Sequence, residues 1–430
     1  MSFIKNLGKL GKANQVFTSP LAVDSIESKC QTSNEVDFST TADALSKLSF
    51  VIVSHVAFTG HPQELEIFLK QRSRKLMFIG HPFSYAPQKE STATIYEKGI
   101  LKARARFPQL KGPEFILYFK DFFATFYFIL KFRSKFHIYV GVDPLNALVG
   151  LLLKRLGFVK VVIFYVIDYV PTRFKNRILN NIYHSIDKMS VYFADYTWNL
   201  ASAMAAAREK RGIRKGETNQ MTVPTGTHFE EAKQLPFEQI DRTSVVFLSH
   251  LRENQGIEMI LEALPEVVKE IPSANLVVIG TGPLEDYFKN EVKKRNIDKN
   301  VVFLGYIENH VEIEKIVSKC GVGLAPYVPD SNSFTWYADP GKPKVYLGCG
   351  VPVIITRVPE VAFEIEKRGA GIAINHDKHE LIGAIVKILT NDEVYRQCRQ
   401  KALEFASKYT WENVFDDAFK HVLVDIVNGN

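Results

Sequence analysis

Asp339-Pro-Gly-Lys-Pro-Lys-Val-Tyr-Leu-Gly-Cys-Gly-Val-Pro-Val-Ile-Ile-Thr356 is the stretch from which the rest of the chain can be read. Pro340-Gly341 predicts a turn, and Pro343 stands where the first turn of a helix tolerates a missing N–H. A short helix over Lys344–Cys349 follows, stopped by Gly350, and the β-branched run Val351–Ile355 predicts a strand. A glycine turn feeding a helix N-terminus offers unpaired N–H groups and the positive end of the helix dipole. That setting suits a diphosphate, and Lys342 adds a cation beside it. An ordinary loop–helix–strand connection would carry the same local signals.

Outward from this stretch one pattern runs in both directions. Downstream of residue 240, expected strands at Val245–Ser249, Leu276–Gly280, Val301–Leu304 and Gly323–Ala325 alternate with helices at Ile257–Lys269, Leu284–Arg295 and Val311–Cys320. After the quoted stretch come helices at Pro359–Lys367, Lys378–Thr390, Asp392–Lys408 and Trp411–Asn428. Upstream, strands at Phe50–Ser54, Leu76–Gly80, Phe136–Val142 and Val159–Ile167 interleave with helices at Pro62–Lys70, Ser91–Arg106, Glu114–Phe132 and Leu145–Leu156. Met189–Phe193 and Met221–Val223 read as edge-side strands around a helix over Ala201–Arg211. Nearly continuous apolar strands alternating with helices specify an α/β protein with parallel, doubly wound sheets. Pro224-Thr225-Gly226-Thr227 reads as the turn between two such units, and Glu230–Asp241 as a linker. The organisation expected is an extension over 1–45, a first domain over 46–230, a second over 241–410 and a final helix over 411–430.

Ligands in such sheets bind beyond the carboxyl ends of the strands. The first strand ends at His55, Gly60 and His61, the second at His81-Pro82, the third at Asp143-Pro144 and the fourth at Asp168-Tyr169. Four ends with His or Asp at one rim mark it as a candidate site, with Asp143 also placed to cap the helix after it. The loop Arg173-Phe174-Lys175-Asn176-Arg177 is placed to meet a phosphate at that rim, and equally reads as a solvated loop.

Hydrophobic residues make up 46% of the chain and charged residues 23%, values of a globular protein with large cores. Cys30, Cys320, Cys349 and Cys398 lie too far apart to suggest a disulfide framework or a zinc site. No apolar run reaches the roughly 20 residues of a spanning helix, and Met1–Phe17 lacks an apolar signal core. A reducing, cytoplasmic location is therefore expected. Residues 1–45 read as a polar tail, with plain disorder or a short amphipathic helix over Ile4–Phe17 both open.

The net charge of +7 is unevenly placed. Residues 46–230 hold 27 Lys and Arg against 13 Asp and Glu, a net +14, while the remainder holds 27 against 34, a net −7. A basic half implies a partner with phosphates. Nucleic acid is not expected, because no recognisable RNA-binding motif is present. An anionic membrane surface or a lipid-phosphate acceptor fits better. In Glu114–Ser134 the residues Phe115, Phe119, Phe122, Phe123, Phe126, Phe128, Leu130 and Phe132 leave only a narrow polar stripe of Lys120, Asp121, Ala124, Thr125 and Lys131. The segment reads as a buried connecting helix or as an interfacial helix dipping into lipid, flanked by Lys102, Arg104, Arg106, Lys131, Arg133 and Lys135.

Pro340, Lys342, Tyr346, Leu347, Gly350, Pro352, Val353 and Ile354 form a pattern that resembles the nucleotide-sugar loop of GT-B glycosyltransferases, chiefly family 4. Val278-Ile279-Gly280-Thr281-Gly282-Pro283, Phe303-Leu304-Gly305-Tyr306 and Ala325-Pro326-Tyr327 fall in the order and spacing of that family's nucleotide-binding domain. The resemblance covers about residues 240–410 well and 50–230 loosely. Tyr409-Thr410-Trp411-Glu412 matches the segment that, in this fold, crosses back onto the first domain. Two departures stand out: the family's paired glutamates are replaced by Tyr337 and Val345, and its Arg and Lys after the first strand of the second domain by His250 and Gln255.

The resemblance implies two Rossmann-like domains facing a central cleft. It also implies a retaining, metal-independent hexosyltransferase that moves a sugar from a UDP- or GDP-sugar, needing no further cofactor, to a glycan or lipid-linked acceptor near a membrane. The donor-binding candidates are Ser249, His250, Arg252, Gly280, Gly282, Tyr306, Pro326, Tyr327, Asp339, Gly341 and Lys342. Asp143 and Asp168 are the catalytic candidates, with His55, Gly60, His61, His81 and Arg173 as acceptor or phosphate contacts. A catalytically degenerate GT-B subunit supporting an active transferase, and a nucleotide-sugar epimerase, are the alternatives.

Overall fold

The computed structural model describes residues 38–427, apart from 57–59, 84–85, 87, 109, 111, 113, 133, 215 and 233. Most of the N-terminal extension, with the helix expected over Ile4–Phe17 and Cys30, lies outside the described residues, as does Arg133.

The first domain opens with α1 (Phe38–Lys47), β1 (Ser49–Val56), α2 (His61–Arg72) and β2 (Lys75–Pro82), continues through β3 (Ser91–Glu97), β4 (Ile100–Phe107), α3 (Glu114–Lys131), β5 (Phe136–Val142), α4 (Pro144–Arg155) and β6 (Val159–Val166), and closes with α5 (Arg177–Phe193), β7 (Tyr196–Asn199), α6 (Ser202–Glu209) and β8 (Gln220–Thr222). Its sheet runs β4-β3-β2-β1-β5-β6-β7-β8, parallel except that β3 lies antiparallel to β2 and to β4.

Two expectations are corrected here. Ser91–Arg106 is a hairpin and not a helix. Thr92, Thr94, Ile95 and Tyr96 are β-formers, and Lys98 and Gly99 both take positive φ, 49° and 81°, the two-residue turn that matches strand twist. Met189–Phe193 is the end of α5 and not a strand. Asn176 caps that helix by accepting from the N–H groups of Ile178 and Leu179, and His184, Asp187, Ser190 and Val191 recur on its buried side at helical spacing.

The second domain comprises β9 (Asp241–Leu248), α7 (Ile257–Glu270), β10 (Asn275–Ile279), α8 (Glu285–Lys294), β11 (Val301–Gly305), α9 (His310–Val317), β12 (Cys320–Ala325), α10 (Gly341–Gly348), β13 (Val353–Thr356), α11 (Val361–Lys367), β14 (Gly371–Ile374), α12 (Lys378–Thr390) and α13 (Asp392–Lys408). Its sheet, β11-β10-β9-β12-β13-β14, is parallel throughout. The short strand β14 has no counterpart among the expected elements.

Alternate strand residues feed opposite cores. Phe50 and Ile52 face α2, and Val51 and Val53 face α3 and α4. In the second domain Val245 and Phe247 face α7 and α12, while Val246 packs with α9, α10, α11 and α13. The last helix, α14 (Trp411–Val427), leaves the second domain and packs on the first. Phe419 sets its ring against Phe50 at 5.6 Å, Phe68 at 6.0 Å and Trp198 at 5.1 Å. The crossing is pinned where Thr227 N–H donates to Tyr409 O at 2.7 Å and Gly226 lies under the Trp411 ring, where any Cβ would come within 2.4 Å of it.

Candidate functional site

Each sheet reverses its strand order once, between β1 and β5 in the first domain and between β9 and β12 in the second. The crevice outside these switch points is where an open α/β sheet binds ligands. In the second domain the crevice is floored by glycines that nothing larger could replace. A Cβ on Gly256 would sit 1.7 Å from Pro326 O, one on Gly280 1.9 Å from Ser249 O, and one on Gly282 2.4 Å from Leu251 O. The positive φ of Gly256 and Gly280, 77° and 127°, makes the same demand on the backbone.

Over this floor lies a small polar cluster. Lys342, at the start of α10, donates to Ser249 Oγ and Gln255 Oε1, each at 2.9 Å, and Ser249 Oγ donates to Gln255 Oε1 at 2.8 Å. Burial and the charge of Arg252 lower the Lys342 pKa to about 8. A phosphate would find there a desolvated cation, the open N-terminus of α10, and the exposed His250 and Arg252 close by. Gln255, which stands where the resemblance places a lysine, acts as the acceptor that aims Lys342. Tyr306 follows β11 and is two-thirds exposed, whereas Tyr327 is interior, its backbone oxygen accepting from Thr356 Oγ1 at 2.7 Å.

A second group forms the hinge. The buried Asp339 accepts from Thr225 N–H at 2.7 Å, its backbone oxygen accepts from Thr225 Oγ1 at 2.5 Å, and Lys344 Nζ lies 3.3 Å from its carboxylate. His61, at the start of α2, bonds Thr225 Oγ1 at 3.0 Å and sets its ring edge-on to Trp411 at 5.2 Å. Burial and the nearby Lys344 lower its pKa to about 4, so it is neutral at pH 7. His61 and Asp339 thus tie the interdomain turn together. Gly60, whose N–H donates to Gln63 Oε1 at 2.9 Å, starts α2.

The third group lies at the rim of the first domain. His55 Nε2 is 3.2 Å from Asp121 Oδ2 and its Nδ1 is 3.7 Å from Asp143 Oδ2. Asn146 Nδ2 also approaches Nδ1, at 3.3 Å. His81 is fully buried, bonded to Ser91 Oγ and Thr125 Oγ1 at 2.9 Å each and 3.3 Å from Asp121 Oδ1. Lys120 pairs with Asp121 and donates to Ser91 Oγ at 2.8 Å. Burial opposes charge on His55, but the carboxylates of Asp121 and Asp143 outweigh it and raise its pKa to about 9. Burial alone would raise the Asp121 pKa. Its bonds to His55 and His81 reverse the sign and hold it well below the usual carboxylate range.

Asp143 takes φ 75° and ψ 154°, close to a region used almost only by glycine, at a cost of about 1–3 kcal/mol. It precedes α4, yet its side chain makes no capping bond. The helix-cap reading of this residue is thereby removed. Asp168 pairs with Arg173 further along the rim, and Tyr169 next to it stacks edge-on against Tyr337 of the second domain at 5.3 Å. Asp121 is the residue that sequence reasoning missed. Its signal was present in the polar stripe Lys120, Asp121 and Thr125 of an otherwise aromatic helix, but the stripe faces inward. Among the described residues no group of three or more His, Cys, Asp or Glu side chains converges as a metal site requires.

Comparison with known proteins bears on the fold and on the second domain. Residues 242–391 match the family model for glycosyl transferases group 1. An uncharacterised glycosyltransferase of Methanocaldococcus jannaschii is 24% identical over 178 residues, 41% of this chain and 43% of that protein. Chitobiosyldiphosphodolichol beta-mannosyltransferase of Debaryomyces hansenii is 26% identical over 149 residues, 33% of this chain and 30% of that protein. The chain thus spans less than half the length of these relatives. Among solved structures, sucrose-phosphate synthase from Thermosynechococcus elongatus superposes with a TM-score of 0.66 at 16% identity, over 89% of this chain and all of that one. The Anabaena protein HepE in complex with UDP and glucose gives 0.62 at 14% identity, over 88% and 99%. The fold is GT-B, and within the second domain residues 242–391 carry the match to glycosyl transferases group 1.

Proposed function

We propose that the chain is a glycosyltransferase that takes a UDP- or GDP-sugar in the second domain and passes the sugar to a glycan or lipid-linked acceptor at the first. The observation that carries this reading is the desolvated Lys342, aimed by Ser249 and Gln255 over the glycine floor at a switch point. Lys342, the N–H groups at the start of α10, Arg252 and His250 would stabilise the departing nucleoside diphosphate without a metal. Asp143, and Asp168 beside it, would face the transferred sugar or the acceptor hydroxyl. Retention would follow a front-face course in which the leaving phosphate takes the acceptor proton. HepE binds UDP and glucose, and the name of the Debaryomyces relative describes mannosyl transfer to a dolichol-linked chitobiose, which support a nucleotide-sugar donor and a lipid-linked acceptor here.

We also infer peripheral membrane contact. The outward stripe of α3 is aromatic, with Phe119 64% and Phe123 61% exposed and Tyr127 and Leu130 continuing it. α4 packs between α3 and α5, and α5 presents Ile178, Ile182, Met189 and Phe193 outward. Exposed Lys102, Lys131, Lys135 and Arg177 belong to the same basic half. An apolar patch with cations beside it fits an anionic lipid surface. Among the described residues no helix is long and apolar enough to cross a membrane.

Thermal stabilisation by UDP, GDP, ADP, CMP and dTDP without metal tests the donor reading. A nucleotide at 100 times its dissociation constant adds about 2.7 kcal/mol. A shift with one nucleotide, lost in Lys342→Ala, is the expected result, and silence across the panel would sink it.

A further inference from the structure

We propose that His55 and Asp121 are positioning residues for the transfer step: the His55 ring, wedged between the carboxylates of Asp121 and Asp143, fixes the Asp143 carboxylate at the mouth of the cleft. This rests on the reading that Asp143 faces the transferred sugar.

The two residues meet at the switch point, His55 near the end of β1 and Asp143 just beyond β5. Asp143 is the partly open member, 29% exposed in its side chain, while His55 and Asp121 are 6% and 5% exposed. Its backbone is held independently of the carboxylate. The N–H donates to Tyr165 O at 3.4 Å, the carbonyl accepts from Ala147 N–H at 3.0 Å, and Pro144 follows. The carboxylate is therefore free of the helix it precedes and has the His55 ring as its nearest counter-charge, with the Arg173 guanidinium further off on the same rim.

That ring cannot turn away. It is boxed by Phe83 at 5.4 Å, Tyr118 at 5.8 Å and His81 at 5.8 Å, and anchored from behind by Asp121. The charged and titratable groups around it are Lys120, Asp121 and Tyr118 from α3, His81 from β2 and Asp143 after β5, with Ser91 of β3 and Asn146 of α4 as neutral partners. Two carboxylates face the ammonium of Lys120 and the ring. The set is neutral when His55 is an imidazolium, its state below about pH 9. Above that pH the ring loses its charge, and Asp143 keeps only the more distant Arg173 as a cation.

The test combines a titration with a kinetic assay. Histidine-labelled protein, wild type and Asp121→Asn, is titrated by NMR. Release of nucleotide from UDP-glucose, UDP-N-acetylglucosamine and GDP-mannose is followed against pH in wild type, His55→Gln, Asp121→Asn and Asp143→Asn. The His55 ring is expected to titrate near pH 9 and to fall in Asp121→Asn. His55→Gln is expected to lose turnover by about 100-fold, the scale of a misplaced reacting group, with unchanged KM for donor and unchanged thermal shift by nucleotide. In Asp121→Asn the alkaline limb of turnover moves below the limb near pH 8 that Lys342 imposes on the wild type, which a merely structural role would not produce. A ring titrating at or below pH 6.5 in the wild type overturns the proposal, as does full turnover in His55→Gln beside an inactive Asp143→Asn. Full turnover in Asp143→Asn, or none in the wild type with any of the three donors, overturns instead the reading on which the proposal rests.

Discussion

The two domains use the same architecture in opposite ways. In the second, apolar residues go inside and the polar cluster of Lys342, Ser249 and Gln255 is small, sitting on bare backbone at the strand ends. In the first, α3 turns its charged stripe inward to hold His55 and His81 and its aromatic stripe outward. On the proposed function, the difference would follow from what each domain handles. A soluble nucleotide would need a preformed anion cradle, which glycines and one helix N-terminus can supply. An acceptor approached from a lipid surface would favour an apolar exterior, and the polar groups at the rim would then be buried and paired with one another.

Breaking the join between the domains should have the largest effect. Phe419→Ala removes a ring of α14 from the first core and should cost about 3–5 kcal/mol, read from a denaturant midpoint. Next come the variants that separate the two halves of the site. Lys342→Ala should abolish the thermal shift by nucleotide, whereas Asp143→Asn should keep that shift and lose about 10²–10³ in turnover. Equal loss of both properties in both variants would erase the division of labour. The pH response sharpens it further. The Lys342 ammonium is present below about pH 8 and lost above it, and a bound diphosphate favours the ammonium. Nucleotide affinity by calorimetry should therefore fall by up to about tenfold per pH unit above 8 and stay flat below. The smallest effect concerns the outer face. Phe119→Ser with Phe123→Ser should weaken sedimentation with anionic vesicles by about tenfold and leave stability within about 0.5 kcal/mol, because both rings are already in solvent.

Much of the second domain was legible because its strands are buried on both faces and read as continuous apolar runs, while its helices bury one face each at helical period. The helices Lys378–Thr390 and Asp392–Lys408 appear with the expected ends, each begun by a capping side chain, Asp377 and Asn391. The first domain resisted at two places. Lys102, Ala103, Arg104, Ala105 and Arg106 are good helix formers, and only the Lys98-Gly99 turn and pairing with β3 make them part of a strand. Met189–Phe193 is an apolar run like a strand, but its outward residues face solvent and its period belongs to α5.

The amino-acid sequence by itself determined the class of fold, the two strand-end rims, the glycine turn into a helix at Gly341 and Lys342 and the unequal charge of the halves, because each is written in local composition and spacing. Which polar groups meet was decided by tertiary structure alone. Asp121 and His55 are 66 residues apart and touch only because β1 and α3 converge on one rim, and Thr225 meets Asp339 114 residues away only across the closed hinge. Which side chains of α3 go inside was decided the same way: Phe128 is buried with Lys120, Asp121 and Thr125, while Phe119 and Phe123 stay in solvent. Both faces keep helical spacing, and only the neighbours that fold against one of them choose which becomes the inside.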